Sequence, residues 1–393
     1  MTDPEARRLR LAVALDGAGW HPAAWREPDA RPAELFSAGY WTDLVTEAER
    51  GGLDFVTFED GLSLQSADRY HRDWRTDQVR GRLDAVLIAA RVGPLTRHIG
   101  LIPTVIVTHT EPFHISKAIA TLDWVTSGRA GVRVRVSARA DEVAHFGRRE
   151  LPSGPHARGD LFAEAADYVE VLRRLWDSWE DDAEIRDVAT GRFVDRDKLH
   201  YIDFSGRWFS VRGPSITPRP PQGQPVVAAL AHERVPYQLV AESADVGFVT
   251  PHNARQARAI VAEIRALQDA AGRATDTVHV VGDLLVYLDD QRSRAEQRRA
   301  RLDERAGKEY QSDALSFAGT PAELADLLLE WHQAGLTGFR LRPAAIPHDL
   351  VQISQALVPE LRRRGAFPHG YRAPTLRGLL GLPHPANRYA TAS

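Results

Sequence analysis

Cysteine is absent from all 393 residues, and methionine occurs once. Without a thiol there is no thiolate nucleophile, no disulfide framework and no cysteine-based zinc site, so any redox chemistry has to come from a cofactor. An excess of one charge is missing as well: 50 Lys and Arg stand against 53 Asp and Glu, a net charge of -3. That balance gives neither a nucleic-acid backbone nor an anionic membrane surface anything to hold. No apolar run approaches the roughly 18 residues a membrane helix needs. The opening MTDPEARRLRLAVALDGAG offers only a short apolar patch at 9–15, broken by Arg10 and closed by Asp16 and Gly17, and does not read as a signal peptide. The expectation is a cytoplasmic protein whose partner is a small molecule. Two phosphate-binding signatures are also lacking: no Gly-x-Gly-x-x-Gly follows an early strand, and there is no Walker-type loop.

What is present is an ordinary globular composition, 43% hydrophobic and 26% charged, long enough to bury a full core. Short β-rich runs alternate with longer amphipathic stretches. Strand-like segments fall at 9–15, 54–60, 98–107, 129–137, 224–231, 245–250, 278–288 and 339–343, with helical periodicity between them, as in LFAEAADYVEVLRRLWDSW at 161–179. GRWFSVRGP reads as a hairpin, and the charged stretch at 291–313 as a solvated helix. Strict alternation implies a parallel sheet covered by helices. Eight such units in one unbroken run predict an α/β protein built as a single (β/α)8 barrel with insertions over 1–393, carrying a carboxyl-terminal extension from about 366 to 393.

In such a barrel the working residues sit at the carboxyl ends of strands. Those ends supply Asp16 with His21, Trp25 and Arg26 beyond it, then Glu59, Asp60 and Gly61, then Thr104, Thr108, His109 and Thr110, and finally Arg133, Arg135 and Ser137. A strand-end Asp followed by Gly also serves as a turn or cap residue. His109 and His114 lack a third ligand at recognisable spacing, which argues against a metal. Alternation places Arg133, Arg135 and Ser137 on one side of their strand, toward the barrel interior. A guanidinium buried there requires an anionic or carbonyl partner, with Glu59, Asp60 or an anionic ligand as the candidates.

Several stretches occur in an order that resembles the luciferase-like flavin monooxygenases, in the nitrilotriacetate and dibenzothiophene-sulfone monooxygenase branch. They include HPAAWREPDA, FVTFEDGL, EPFHISKAIATLDWVTSGRAG, HFGRRE, PRPPQGQPVV, FAGTPAELADLLLEW and TLRGLLGL. The resemblance implies a barrel that binds reduced FMN supplied by a separate flavin reductase and uses O2 to oxygenate a small organic substrate, as a homodimer or homotetramer. It implies flavin contacts at Asp60, Thr104, Ser137, His156, Arg158, Ala231 and His232, with Arg133 and Arg135 at the flavin side of the fourth strand and His21 and Arg133 as catalytic candidates.

Departures accompany it. Where the branch reads Gly-Trp-Asn-Val-Val-Thr-Ser, this chain has GVRVRVS, so Arg133 replaces the flavin-facing Asn. Where the branch carries Gln-Ala-Gly-Ser-Ser at the phosphate, this chain has ALAHER at 229–234, with Glu233 set to repel a phosphate dianion and His232 and Arg234 set to offset it. Gly159 stands for the branch's Tyr, and the segment 302–317 is shorter, so the lid differs. These changes leave two alternatives: a same-fold enzyme using a deazaflavin or no flavin and holding an anionic substrate through Arg133 and Arg135, or a non-catalytic partner subunit of an active paralogue.

Overall fold

The computed structural model describes residues 8–66 and 73–390. Its strands are β1 (Arg10–Leu15), β2 (Phe55–Phe58), β3 (Gly100–Ile106), β4 (Gly131–Arg135), β5 (Glu184–Asp187), β6 (Arg192–Val194), β7 (Phe204–Ser205), β8 (Ser210–Val211), β9 (Val226–Ala231), β10 (Val246–Val249), β11 (His279–Leu288), β12 (Leu315–Gly319) and β13 (Gly338–Pro343). The helices are α1 (Ala38–Gly51), α2 (Ala85–Val92), α3 (Pro112–Val125), α4 (Ala140–Phe146), α5 (Ala157–Asp177), α6 (Arg234–Ser243), α7 (Ala254–Ala270), α8 (Arg292–Ala306), α9 (Pro321–Gln333), α10 (His348–Gln352), α11 (Val358–Arg363) and α12 (Leu376–Leu379).

Eight of these strands close on themselves. The order β1-β2-β3-β4-β9-β10-β11-β13 returns to β1, and every pairing is parallel. This is the expected (β/α)8 barrel, and its staves are the eight runs the sequence singled out. Helices begin where short polar side chains meet free N–H groups: Ser37 caps α1, Asp84 caps α2 and Asn253 caps α7. Thr320 and Glu323 form a reciprocal capping box on α9, with Pro321 in its first turn.

Three features escaped the sequence reading. Hairpin β5–β6 follows α5, ahead of the expected hairpin, which is β7–β8. Helix α4 occupies the loop after β4. Strand β12 pairs with Leu284–Leu288 of β11; since β13 holds the opposite edge, β12 continues the edge that β10 leaves at Gly282.

Side-chain parity divides the barrel into an outer and an inner shell. Leu11, Val13, Val56, Leu101, Val132, Val134 and Val227 face the helices. Ala12, Phe55, Ile102, Val226, Ala228, Val246, Phe248 and Val281 face inward, and the carboxyl-terminal Leu376, Leu380 and Leu382 join them. The tail thus closes the amino end of the barrel. It is fixed there by polar contacts: the Leu380 carbonyl accepts from Arg10 Nη2 at 2.8 Å and lies 2.8 Å from His279 Nε2. Gly100 lets the tail in, because a Cβ there would stand 2.4 Å from Leu376 Cδ1.

Candidate functional site at the carboxyl end of the barrel

Above the apolar plug the inner shell turns ionic. Arg133 points inward as parity requires and is 2% exposed. Its Nε donates to Thr104 Oγ1 at 2.8 Å, and its Nη2 forms an ion pair with Glu59. The Thr104 hydroxyl in turn donates to the Phe58 carbonyl at 2.6 Å. From β13, Arg340 packs its guanidinium 4.0 Å over Phe248 and binds Asp283, Thr57 and, at 3.4 Å, Glu59. Arg342, one residue pair further along, bridges Asp283 to Asp313 and lies 4.5 Å over the Trp20 ring.

Each charge here is held by its neighbours. Burial alone would raise the Glu59 carboxyl, but Arg133 and then Arg340, Arg135 and Arg82 bring it down to about 2. Burial lowers the Arg133 guanidinium to about 10 against the pull of Glu59, so it stays a cation at neutral pH. Arg342 moves upward despite its burial, because Asp283 and Asp313 face it. These side chains form a floor of alternating sign, and half-buried residues ring it: Asp16, Glu59, Asp60, Gly61, Arg82, Arg135, Leu230 and His232.

On that rim Arg82 holds Asp16 with two Nη2 contacts at 2.7 and 2.8 Å. Arg135 differs. Its Nη1 donates to the Asp60 carbonyl, and its guanidinium forms no ion pair among the described residues. Arg135 is therefore the mouth arginine that forms no ion pair among the described residues, although its charge also bears on Glu59.

The remaining sequence candidates have these places. Asp60 accepts from the backbone N–H of Gly61 at 2.7 Å and of Ala85 at 2.9 Å, bonds that oppose the upward push of burial on its carboxyl. Its carboxylate therefore ties the β2 turn to the head of α2. Ser137 is buried; its N–H donates to Thr108 Oγ1 at 2.9 Å and its hydroxyl accepts from Arg139 N–H. Ala231 is buried at the end of β9. His232 Nδ1 lies 2.9 Å from Thr250 Oγ1, and its Nε2 is 3.4 Å from Asp313.

His21 does not reach the rim. It is buried beside Tyr287 and Tyr310, its Nδ1 accepts from Ala23 N–H at 3.1 Å, and its Nε2 is 3.1 Å from Asp303 on α8. Burial lowers its pKa and Asp303 opposes that. With both nitrogens engaged, His21 anchors the loop after β1 to α8.

At the other side of the mouth, α6 starts at Arg234 without a side-chain cap. His156 and Arg158 stand exposed at the start of α5, and Arg158 pairs with Glu233 in a contact about half open to solvent. The segment between α8 and β12 delivers Asp313 to Arg342 at 2.6 Å and to His232.

Sequence reasoning missed Asp283, Arg340, Arg342 and Asp313. The signal was available: GFRLRP on β13 repeats the alternate arginines of GVRVR on β4, and Asp283 interrupts an apolar strand between them. Among the described residues no group of three His, Asp or Glu side chains forms a metal site, and no helix is long and apolar enough to cross a membrane.

The profile of a family described as luciferase-like monooxygenase matches residues 20–338. N-acetyl-S-(2-succino)cysteine monooxygenase of Bacillus subtilis (strain 168) is 31% identical, covering 98% of this chain and 99% of its own length. Nitrilotriacetate monooxygenase component A of Aminobacter aminovorans is 28% identical over the same shares. The crystal structure of DmoA from Hyphomicrobium sulfonivorans superposes with a TM-score of 0.84 at 25% identity, covering 95% of this chain and 92% of that one.

Proposed function

This chain belongs to the luciferase-like monooxygenase family, an oxidoreductase family, and on that premise we propose that it is the oxygenase of a flavin-dependent system acting on a small organic anion. Reduced FMN would come from a separate reductase, and O2 would be the co-substrate. The observation that carries the anionic substrate is Arg135. Each other arginine of the mouth, Arg82, Arg133, Arg340 and Arg342, has a carboxylate partner, and Arg135 alone has none among the described residues. A half-buried guanidinium with open donors is suited to a carboxylate or a related oxyanion.

A flavin phosphate fits the head of α6. The N–H groups of Arg234 and Val235 have no side-chain cap there, and Arg158 reaches the preceding Glu233. Glu233 stands in the way, but its pair with Arg158 is half exposed, and such pairs contribute only about 0–1 kcal/mol, so a phosphate can displace it. At the expected flavin contacts Asp60 and Thr104 both side chains are already engaged with the protein, so their part would be to shape the seat and not to donate to the flavin. When bound, a reduced flavin supplies the electrons that activate O2. The chain's part is to hold the substrate anion at Arg135, and to keep Arg133 and Glu59 charged beneath the rim so that the floor stays polar and fixed.

A second reading, anion binding without flavin, is favoured by one observation: Glu233 places a carboxylate where a phosphate would sit. Oxygen uptake with reductase-supplied reduced FMN separates the two. With catalase present, uptake should rise with a small carboxylate and not with its methyl ester, and Arg135→Met should remove the rise. Uptake that is indifferent to every carboxylate tried, with carboxylate binding intact, would favour the flavin-free reading.

A further inference from the structure

Strand β12 pairs along one edge only. In its parallel ladder with β11 the Gly319 carbonyl accepts from Asp289 N–H at 3.2 Å, and the two-residue alternation of the ladder turns Phe317 the same way. The N–H and C=O groups of Ser316 and Ala318 therefore point away from β11, and none of them has a hydrogen-bond partner among the described residues. Proteins blunt such an edge with a charge, a proline or a bulge. The β12 sequence LSFAG carries no charge and no proline, and its register with β11 is unbroken.

This edge opens into a groove. A cavity of about 600 Å³ lies between Ser316, Phe317 and Ala318 of β12 and a face of α8 that carries Arg292, Glu296, Arg299 and Asp303. Its volume falls within the roughly 300–1,000 Å³ of ligand clefts. Spacings of four, three and four put these α8 side chains on one side of the helix, with the sign of charge alternating along it. Arg292 and Glu296 stand 3.8 Å apart and each is more than half exposed. Arg292 also meets Glu323 at 2.9 Å, in a contact open enough to solvent for another anion to replace it. Ser316 and Ala318 face the α8 side of β12, where Ala318 packs with Leu302 and Ala306, and Phe317 faces the other side.

An extended segment is the occupant that suits both walls. Its backbone pairs with the free edge while its alternate side chains face α8, as in recognition by strand addition. Four residues of helix rise about 6 Å, close to the roughly 6.6–6.8 Å between alternate residues of a strand. An acidic and a basic side chain two positions apart therefore meet Arg292 and Glu296 together. A second copy across a two-fold axis would instead set one concave groove against the other and leave both unfilled. We propose that β12 accepts an added strand from a partner protein, in which apolar residues on the Phe317 side alternate with an acidic and a basic residue on the α8 side. The surface is independent of the anion reading at Arg135.

Fluorescence polarisation of the labelled peptide Val-Glu-Val-Lys-Val with the full chain tests it. Binding should be saturable. Methylating one alternate set of the peptide's backbone nitrogens should weaken it at least about tenfold, and methylating the other set by no more than about twofold, because only one set can donate to β12. Ser316→Pro removes an outward N–H at a position where an edge strand tolerates proline, and should also cost at least about tenfold. Val-Lys-Val-Lys-Val, which sets a second cation against Arg292, should bind several-fold more weakly than the parent peptide. If the proline variant does not fold, the two methylated peptides decide the matter on the wild-type chain alone. No saturable binding up to millimolar peptide, equal losses from both methylated sets, or a dimer in sedimentation that Ser316→Pro dissociates overturns the proposal, the last by giving the edge to a second copy. Equal affinity for the all-lysine peptide overturns the assignment of the α8 wall.

Discussion

Arg133 on β4 and Glu59 at the end of β2 are joined by an ion pair inside the barrel, with side chains 3% and 9% exposed. Removing one partner of such a pair leaves the other buried and uncompensated, which typically costs about 3–5 kcal/mol. Glu59→Gln should therefore lower stability by about 3 kcal/mol, because Arg133 forms no second ion pair among the described residues. Arg133→Asn should cost less, since Arg340 remains 3.4 Å from Glu59. The double variant should be less destabilised than the sum of the two singles. Urea unfolding of the four proteins measures this, and strict additivity would show that the pair is not coupled.

The same carboxylate sets a pH signature. Its folded pKa of about 2 lies below the ordinary value of 4.5, so its contribution is fully present above about pH 4.5 and is lost as pH falls through about 2. Wild type should lose more stability than Glu59→Gln across that window, and the two curves should run parallel above it. Melting temperatures from pH 2 to 7 provide the comparison.

At the head of α6 the charges bear on flavin binding. Glu233→Gln removes the negative charge beside the proposed phosphate position and should tighten FMN binding about two- to fivefold, in keeping with a helix-terminus charge effect of about 0.3–1 kcal/mol. Arg158→Ala should weaken it. Arg133→Asn, which restores the residue implied by the resemblance, should raise FMN affinity if the arginine reshapes the ring seat. Quenching of flavin fluorescence reads all three, and FMN affinity indifferent to Glu233 and Arg158 would remove the phosphate assignment.

The tail that closes the amino end is a packing element, and its prediction concerns stability alone. Leu376 is fully buried among barrel-interior side chains. Leu376→Ala should cost about 2–5 kcal/mol, as for other large-to-small core changes. The denaturation midpoint should fall while the carboxyl-end site keeps its ligand binding, because a whole layer of side chains separates them.

The eight staves were legible because a parallel strand buried on both faces reads as a short apolar run between turn signals; most of the eight do so, while alternate arginines interrupt β4 and β13 and Asp283 interrupts β11. Parity then placed Arg133 and Arg135 inside, and Glu59 was foreseen as a partner. The Arg340–Asp283 pair was not, since it depends on the register that sets Asp283 of β11 directly opposite Arg340 of β13, which the strand pattern alone does not specify. Helix α4 stayed hidden because it is short and lies in a connecting loop, with no apolar periodicity to announce it. His21 looked available because loop position says nothing about burial, and the packing of Tyr287, Tyr310 and α8 decided its role.

In the proposed function the ionic carboxyl end of this barrel receives a reduced flavin. Anaerobic absorbance titration with reduced and oxidised FMN tests it most directly. Reduced FMN should produce a saturable spectral change that weakens in Arg158→Ala and strengthens in Glu233→Gln. A spectrum that remains the sum of free protein and free flavin at every concentration would contradict it.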